Sequence, residues 1–473
     1  MNELIRSLRN ELGDAVSTES TTIAEHRRDS WVIAELHDLE ERKLPDPLAV
    51  VSPGSTEEVS LVLRRCREAG VPVVPYGGGS GVCGGVKAPA GVIVLSTRRL
   101  AGLVDLDERE LRASFRAGTN GMEAEERVQE AGLTIGNWPQ SISLSTVGGW
   151  VATRAAGQFS TAYGSIEAVV LDLEAVLPDG SVLRTRRTPR ASAGPDLRQI
   201  FLGSEGTLGV VTEVTFSLRP LPEARRGQAF SFASFVEGIE AIRRLMRPGW
   251  RPPVVRLYDS AESARSFGDS CPEGRHLLIL LHEGPTPLVD VETRAVAELC
   301  RENGGQETDA ACVDQWLEHR NQVPGFRGFL EKGIILDTIE VAATWDRVLP
   351  LYERTVASLG EVAGLLVASA HSSHSYRSGT NLYFTFLARP EDPADMERTY
   401  QECWRRVMEA ALDTGAGIAH HHGIGRVRRG YLAGEIGAEG VSLLRALKRA
   451  LDPGDLMNPG VLLPDPEPDV ARG

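Results

Sequence analysis

The sequence predicts an α+β chain built of two large parts, and three observations carry that expectation. A glycine-rich run at residues 77–85 sits between two short apolar strands rather than ahead of a helix. Pro220 and Pro222 interrupt the chain after a string of strand and turn signals. Beyond them, helical stretches alternate with β-rich ones, the pattern of an antiparallel sheet with helices packed on it.

The elements follow in order. Residues 1–45 read as a helical segment leaving through Pro45-Asp46-Pro47. A buried strand at 48–51 precedes a helix that Ser55 or Thr56 can cap and Gly70 stops. The strand at 71–76 enters the glycine run. Strands are expected at 91–95, 110–117, 167–177 and 209–218, with a helix at 121–131 and a hairpin at Pro178-Asp179-Gly180-Ser181. These form a first domain, 46–222. A second, 223–419, holds helices at 235–246, 288–303 and 345–358 and strands at 275–282 and 382–388. The chain then returns at 420–463, with a helix at 441–451, to close over the site. The proline- and acid-rich end, 464–473, is expected to be disordered.

Composition narrows the function classes. At 473 residues the chain exceeds one core, and 42% hydrophobic with 25% charged residues is ordinary for a globular protein. A net charge of -14 argues against nucleic-acid binding and against general attraction to anionic membranes. No apolar run reaches membrane-span length. The N-terminal stretch lacks the apolar core of a secretion signal. Six scattered cysteines without a CxxC pair read as reduced thiols. The expected location is the cytoplasm.

Three glycine-containing elements and one histidine run carry the chemistry. Residues 77–85 hold six glycines in nine positions, which lets backbone amides approach a pyrophosphate closely. Residues 79–84 formally match GxGxxG. A dinucleotide-binding helix would have to follow directly, and Lys87, Pro89 and Gly91 stand there instead. Residues 141–150 place small hydroxyls beside Gly148-Gly149, suited to a flat polar ligand. Residues 203–211 offer exposed backbone for a heteroaromatic edge. His420-His421-His422 stands ahead of Gly423 and Gly425, and reads as a proton-handling or anion-holding site or, more blandly, as a histidine-rich turn.

The stretches VPYGGGS, STVGGWVATRAAG, GSEGTLGVVTEV, VRLYD, NLYFTF and HHHGIGRVR together resemble the vanillyl-alcohol oxidase, or PCMH-type, FAD-binding superfamily. Within it they are most similar to the alkyldihydroxyacetonephosphate (alkylglycerone-phosphate) synthase family, over about residues 47–463. The resemblance implies a two-subdomain FAD-binding domain, an α+β cap with an antiparallel sheet, and non-covalent FAD, since no histidine lies in the first loop. Pro75, Tyr76, Gly77, Gly78, Gly79, Ser80 and Gly81 would hold the pyrophosphate. Gln140, Ser141, Ser145, Thr146, Gly149, Thr153, Arg154, Ala155 and Ala156 would meet the rest of the cofactor. So would Glu205, Gly206, Thr207, Leu208, Gly209, Val210 and Val211.

The implied reaction exchanges the acyl group of acyl-dihydroxyacetone phosphate for a fatty alcohol through an adduct at flavin N5, a step of ether lipid synthesis. Tyr383 would be the general acid/base. His420, His421 and His422 would supply positive charge to depress its pKa. Arg256 and Arg327 would hold the substrate, Arg327 through an alignment that needs a one-residue gap. Partners would be a small or lipid-derived substrate, a membrane surface touched peripherally, and a second copy in a homodimer. The rival in the superfamily is an FAD-linked D-2-hydroxyacid dehydrogenase, in which two histidines and a glutamate hold a divalent metal. Here Tyr376, Tyr383 and His421 stand at those positions. Phenols are poor ligands for a hard cation, so no metal is expected. His371 and His374 are expected on a loop, lining a pocket without converging.

Overall fold

The computed structural model describes residues 2–42, 46–268, 270–323 and 325–465. The expected exit at Pro45 and most of the expected disordered end lie outside these residues. Two sheets and their helices form the N-terminal half. A four-stranded sheet runs in the order Val16–Ser17, Ala49–Val51, Ile93–Ser96, Val73–Tyr76, with the last three strands parallel. The N-terminal stretch, expected to be wholly helical, thus contributes an edge strand, because Val16 pairs with Val51. Ser55 caps the Thr56–Ala69 helix by accepting from the Glu58 amide, and Gly70 ends it in a left-handed turn that a side chain would strain.

The second sheet has five antiparallel strands ordered Leu103–Asp107, Arg112–Arg116, Val210–Ser217, Val170–Val176, Val182–Arg184. Its last two strands are joined by the hairpin at Gly180 (φ +84°). A core around Phe115, Trp150 and Phe216 fills one of its faces.

Beyond Pro220 the chain enters a seven-stranded sheet, antiparallel throughout. Its central strands are His276–Gly284, Val254–Tyr258, Leu365–Ser372 and Gly379–Ala388, with Ile335–Thr344 at one edge. Helices Phe235–Met246, Trp345–Gly360 and Met396–Thr414 pack on it through Phe235, Leu351 and Trp404. Ser234 and Glu237 form a capping box at the first of these. The fold is the PCMH-type arrangement: a two-subdomain cofactor domain and an α+β cap. The C-terminal stretch returns to the first half, where the Val73 amide donates to Leu456 and the Asn458 amide to Val73. Among the described residues no helix is long and apolar enough to cross a membrane.

Candidate active site

A cavity of about 1110 Å³ lies between the two halves. One end is the glycine run. No helix follows it, and the next regular element is the Ile93–Ser96 strand. Among the described residues, the amides of Gly78, Gly79, Ser80 and Gly81 donate to no protein acceptor, which leaves four N–H groups free for an anion. The run is held from below by residues the sequence did not flag. Ser30 donates through its amide to Gly81 and through its hydroxyl to Gly79. Buried Asp29 accepts from the Val86 and Trp31 amides, and burial pushes its carboxyl up to about 7. At Gly78, a Cβ would stand 2.0 Å from the carbonyl oxygen of Leu144.

The second and third elements form the middle of the cavity. Gln140, Ser141, Ser145, Thr146, Gly149, Thr153, Ala155 and Ala156 line it, as do Glu205, Gly206, Gly209, Val210 and Val211. Two of the hydroxyls are already engaged: Thr146 caps the Gly149 amide, and Ser145 accepts from the Trp150 indole. Arg154, Thr207 and Leu208 lie off the cavity, contrary to expectation. Arg154 ends a helix in left-handed backbone, and its half-exposed guanidinium reaches toward Glu167. The Thr207 hydroxyl turns back to Ser204, and Leu208 is packed into the core. Glu205 accepts the amides of Ile424 and Gly425, fastening the segment after the histidines to the first half. Its burial pushes the carboxyl up to about 7 against those donors and Arg428.

The far end of the cavity is built on the cap sheet. Tyr383 and Glu340 are cross-strand neighbours, as are Tyr383 and His371, so all three side chains gather on one face. Fully buried Glu340 accepts the amides of His420 (3.4 Å), His421 (3.2 Å) and His422 (2.8 Å) at Oε1. Arg428, also fully buried, donates to its Oε2 at 2.6 Å. Burial opposes the charge, but the Arg428 guanidinium beside it holds the carboxyl well below its usual range. A pair of this kind costs about 3–5 kcal/mol when one partner is removed. His422 Nδ1 lies 2.8 Å from Glu340 Oε2, and its Nε2 faces the Tyr383 hydroxyl at 3.5 Å.

His420 and His421 do not supply the charge expected of them. Burial pushes His420 down to about 4 and His421 well below the ordinary imidazole range, so both are neutral near pH 7. Burial drives the Tyr383 phenol up, Thr338 donates to its oxygen, and the phenol is protonated at rest. His420 also leaves the cavity, turning its Nε2 to the Tyr376 hydroxyl at 2.7 Å.

His371 and His374 are not on a free loop. His371 ends the Leu365–Ser372 strand, stacks on Tyr383 at 4.9 Å, and links Glu262 at Nδ1 to Arg256 at Nε2. An arginine can only donate, so Nε2 accepts and the Nδ1 proton goes to Glu262. Arg256 is thereby fixed against Tyr258 and the cavity. His374 meets His420 and His421, the three rings presenting nitrogens within 4.8 Å of one another. That is a metal-like spacing where none was expected. Several of those nitrogens are already in use: His374 Nδ1 on Ser160, His420 Nδ1 on His421 Nδ1, and His420 Nε2 on Tyr376.

Arg327 does not reach the cavity. It starts a one-turn helix, Arg327–Leu330, and pairs with Glu331 (3.1 Å) on the surface and with Glu35 (3.5 Å), which itself lines the cavity. Arg320, which the sequence did not single out, lines the cavity instead. Its guanidinium lies over Trp138 and Phe159 and bonds Gln158. Burial pushes it down to about 10. Among the described residues neither Arg320 nor Arg256 has a carboxylate within ion-pair distance. Phe326, Phe329, Leu336 and Leu387 line the cavity as well.

Comparison with known proteins places these observations in context. Residues 47–186 match the FAD binding domain family, and residues 221–462 match the C-terminal domain of FAD linked oxidases. The chain is 32% identical over 469 residues to the uncharacterized FAD-linked oxidoreductase YgcU of Escherichia coli (strain K12), covering 95% of this chain and 96% of that one. It is 28% identical to the alkyldihydroxyacetonephosphate synthase of Dictyostelium discoideum, covering 88% of this chain and 73% of the relative. A solved alkyldihydroxyacetonephosphate synthase structure superposes with a TM-score of 0.79 at 25% identity, over 97% of this chain and 84% of that one.

Proposed function

This chain belongs to the FAD-linked oxidase family, and from that premise we propose that it is an alkylglycerone-phosphate-synthase-like transferase, exchanging the acyl group of acyl-dihydroxyacetone phosphate for a fatty alcohol. FAD is its cofactor. When bound, it supplies an electron-accepting ring beside the substrate. The free amides of residues 78–81 suit its pyrophosphate, and the hydroxyl- and glycine-lined middle of the cavity suits the rest.

The observation that carries the transferase reading is the two-part lining beyond the cofactor elements. Arg256 and Arg320 line the cavity without ion-pair partners among the described residues, and Phe326, Phe329, Leu336 and Leu387 give it apolar surface. A phosphorylated glycerone carrying a long chain has both characters; a small hydroxyacid has only the first. Tyr383 is the acid/base group at the junction, and Arg256 orients the anion. The same reading keeps the protein in the cytoplasm, in peripheral contact with a membrane, and leaves room for a homodimer. The His374, His420 and His421 cluster works as hydrogen-bonded imidazoles without metal, since four of its six ring nitrogens are already committed.

The test is anaerobic mixing with acyl-dihydroxyacetone phosphate and hexadecanol, following ether and fatty acid. Ether is expected, with one fatty acid released per ether and no loss after dialysis against a chelator. YgcU supports the second reading, an FAD-linked oxidoreductase acting on a hydroxyl compound. Flavin reduction by D-lactate or D-2-hydroxyglutarate with no ether formed would decide for it.

Arg320 provides a further check. Arg320→Gln is expected to raise KM for the phosphorylated substrate by roughly 10–100-fold, the worth of one charge-assisted bond. Arg327→Gln, on the surface, should change KM by less than about twofold. Equal effects from the two would remove Arg320 from the substrate site.

A further inference from the structure

We propose that Glu340 is a positioning residue that makes His422 the proton acceptor for Tyr383. Nothing in the sequence motifs assigns it a role, yet its carboxylate organises the whole triplet. Oε1 gathers three consecutive amides, which sets the path of the backbone through His420, His421 and His422. Oε2 meets both Arg428 (2.6 Å) and His422 Nδ1 (2.8 Å).

The consequence is a fixed tautomer. The contact of His422 Nδ1 with Glu340 is close but off the line of a hydrogen bond; a bare Nδ1 lone pair 2.8 Å from an ionised carboxylate would be repelled, so we place the proton on Nδ1. Nε2 is then a lone pair, and it faces the Tyr383 hydroxyl. Thr338 donates to the phenol oxygen, so the phenol's own proton is free to point at His422. The order Glu340, His422, Tyr383 reproduces the logic of a carboxylate that orients an imidazole for a neighbouring hydroxyl.

In the step itself the Tyr383 O–H bond breaks and an N–H bond forms at His422 Nε2. A phenolate and an imidazolium result, and Glu340 stays ionised beside the new cation. The phenolate can then take a proton from the substrate. His420 and His421 are neutral spectators of this transfer. Arg428 keeps Glu340 charged, and Arg256, held on His371 behind the Tyr383 ring, favours the phenolate electrostatically.

Only the kinetic arm of the test rests on the transferase reading. Flavoprotein with ¹⁵N-labelled histidines is examined by long-range ¹H–¹⁵N correlation, with His422 assigned through His422→Asn. The wild type should show His422 protonated at Nδ1 and bare at Nε2; the reverse tautomer would overturn the proposal. In Glu340→Gln the preference should be lost. With acyl-dihydroxyacetone phosphate and hexadecanol, kcat per bound flavin should fall by roughly 10²–10⁴-fold with KM nearly unchanged, and Glu340→Asp should recover part of it. A merely structural role would lower flavin content while leaving kcat per flavin intact, and that result would also overturn it. If Glu340→Gln fails to hold flavin, the wild-type tautomer decides alone. If the wild type forms no ether, the transferase reading falls and the tautomer still judges Glu340.

Discussion

Tyr383→Phe should lower turnover by roughly 10²–10⁴-fold, the usual scale for losing a general acid/base, while the flavin stays bound. The ring sits on the Gly379–Ala388 strand, stacked on His371, and phenylalanine preserves that packing. Only the hydroxyl between Thr338 and His422 is lost. One neutral hydrogen bond is worth about 1 kcal/mol, so the melting temperature should move little. Because phenol and imidazole act as one unit, Tyr383→Phe with His422→Ala should be little worse than the worse single change. His421→Ala should cost much less, since His421 is neutral and 5.9 Å from the phenol ring centre. Near-normal turnover in Tyr383→Phe, measured per bound flavin, would move the acid/base role elsewhere.

Gly78→Ala should yield a largely colourless protein. The added methyl would stand 2.0 Å from the Leu144 carbonyl oxygen and 3.0 Å from the Ser145 Cα, both backbone atoms that cannot rotate away. Either the glycine run or the loop at 141–145 must move, and both line the cofactor end of the cavity. Four unpaired amides would lose their common focus, and an anion site built from convergent dipoles depends on that focus. The measurement is the ratio of flavin to protein absorbance after gel filtration. Full flavin occupancy would show that the two loops tolerate separation, and that the cradle lies elsewhere in the cavity.

The fold class was legible because local signals agreed with it. Ser55, Gly70, Ser234 and Gly180 each act as their residue type dictates, and the failure of a helix after Gly85 was readable from Pro89 and Gly91. The open backbone of the glycine run was legible for the same reason, since glycines leave their amides uncovered. What escaped were residues acting through tertiary contact. Asp29 and Ser30 meet the glycine run from about fifty positions away, with no local pattern to announce them. Arg320, which lines the cavity, carried no local motif, and the resemblance pointed to Arg327 seven positions on. Glu340 left one signal: with Asp337 it places two carboxylates in the otherwise apolar strand Ile335–Thr344, where an unpaired charge is costly. The sign of the triplet's charge could not be read, because it depends on burial, and burial depends on the assembled site.

The histidine segment is fastened at both of its ends to partners far back in the chain. Glu340 holds one end and Glu205 the other, the second at a separation of 220 residues. During synthesis the glycine run and the segment at 203–211 are made long before the residues that meet them: Asn458 on the Gly85 and Glu205 carbonyls, and Gly425 on the Glu205 carboxylate. The cavity is therefore expected to close only when nearly the whole polypeptide has emerged, as a final long-range step.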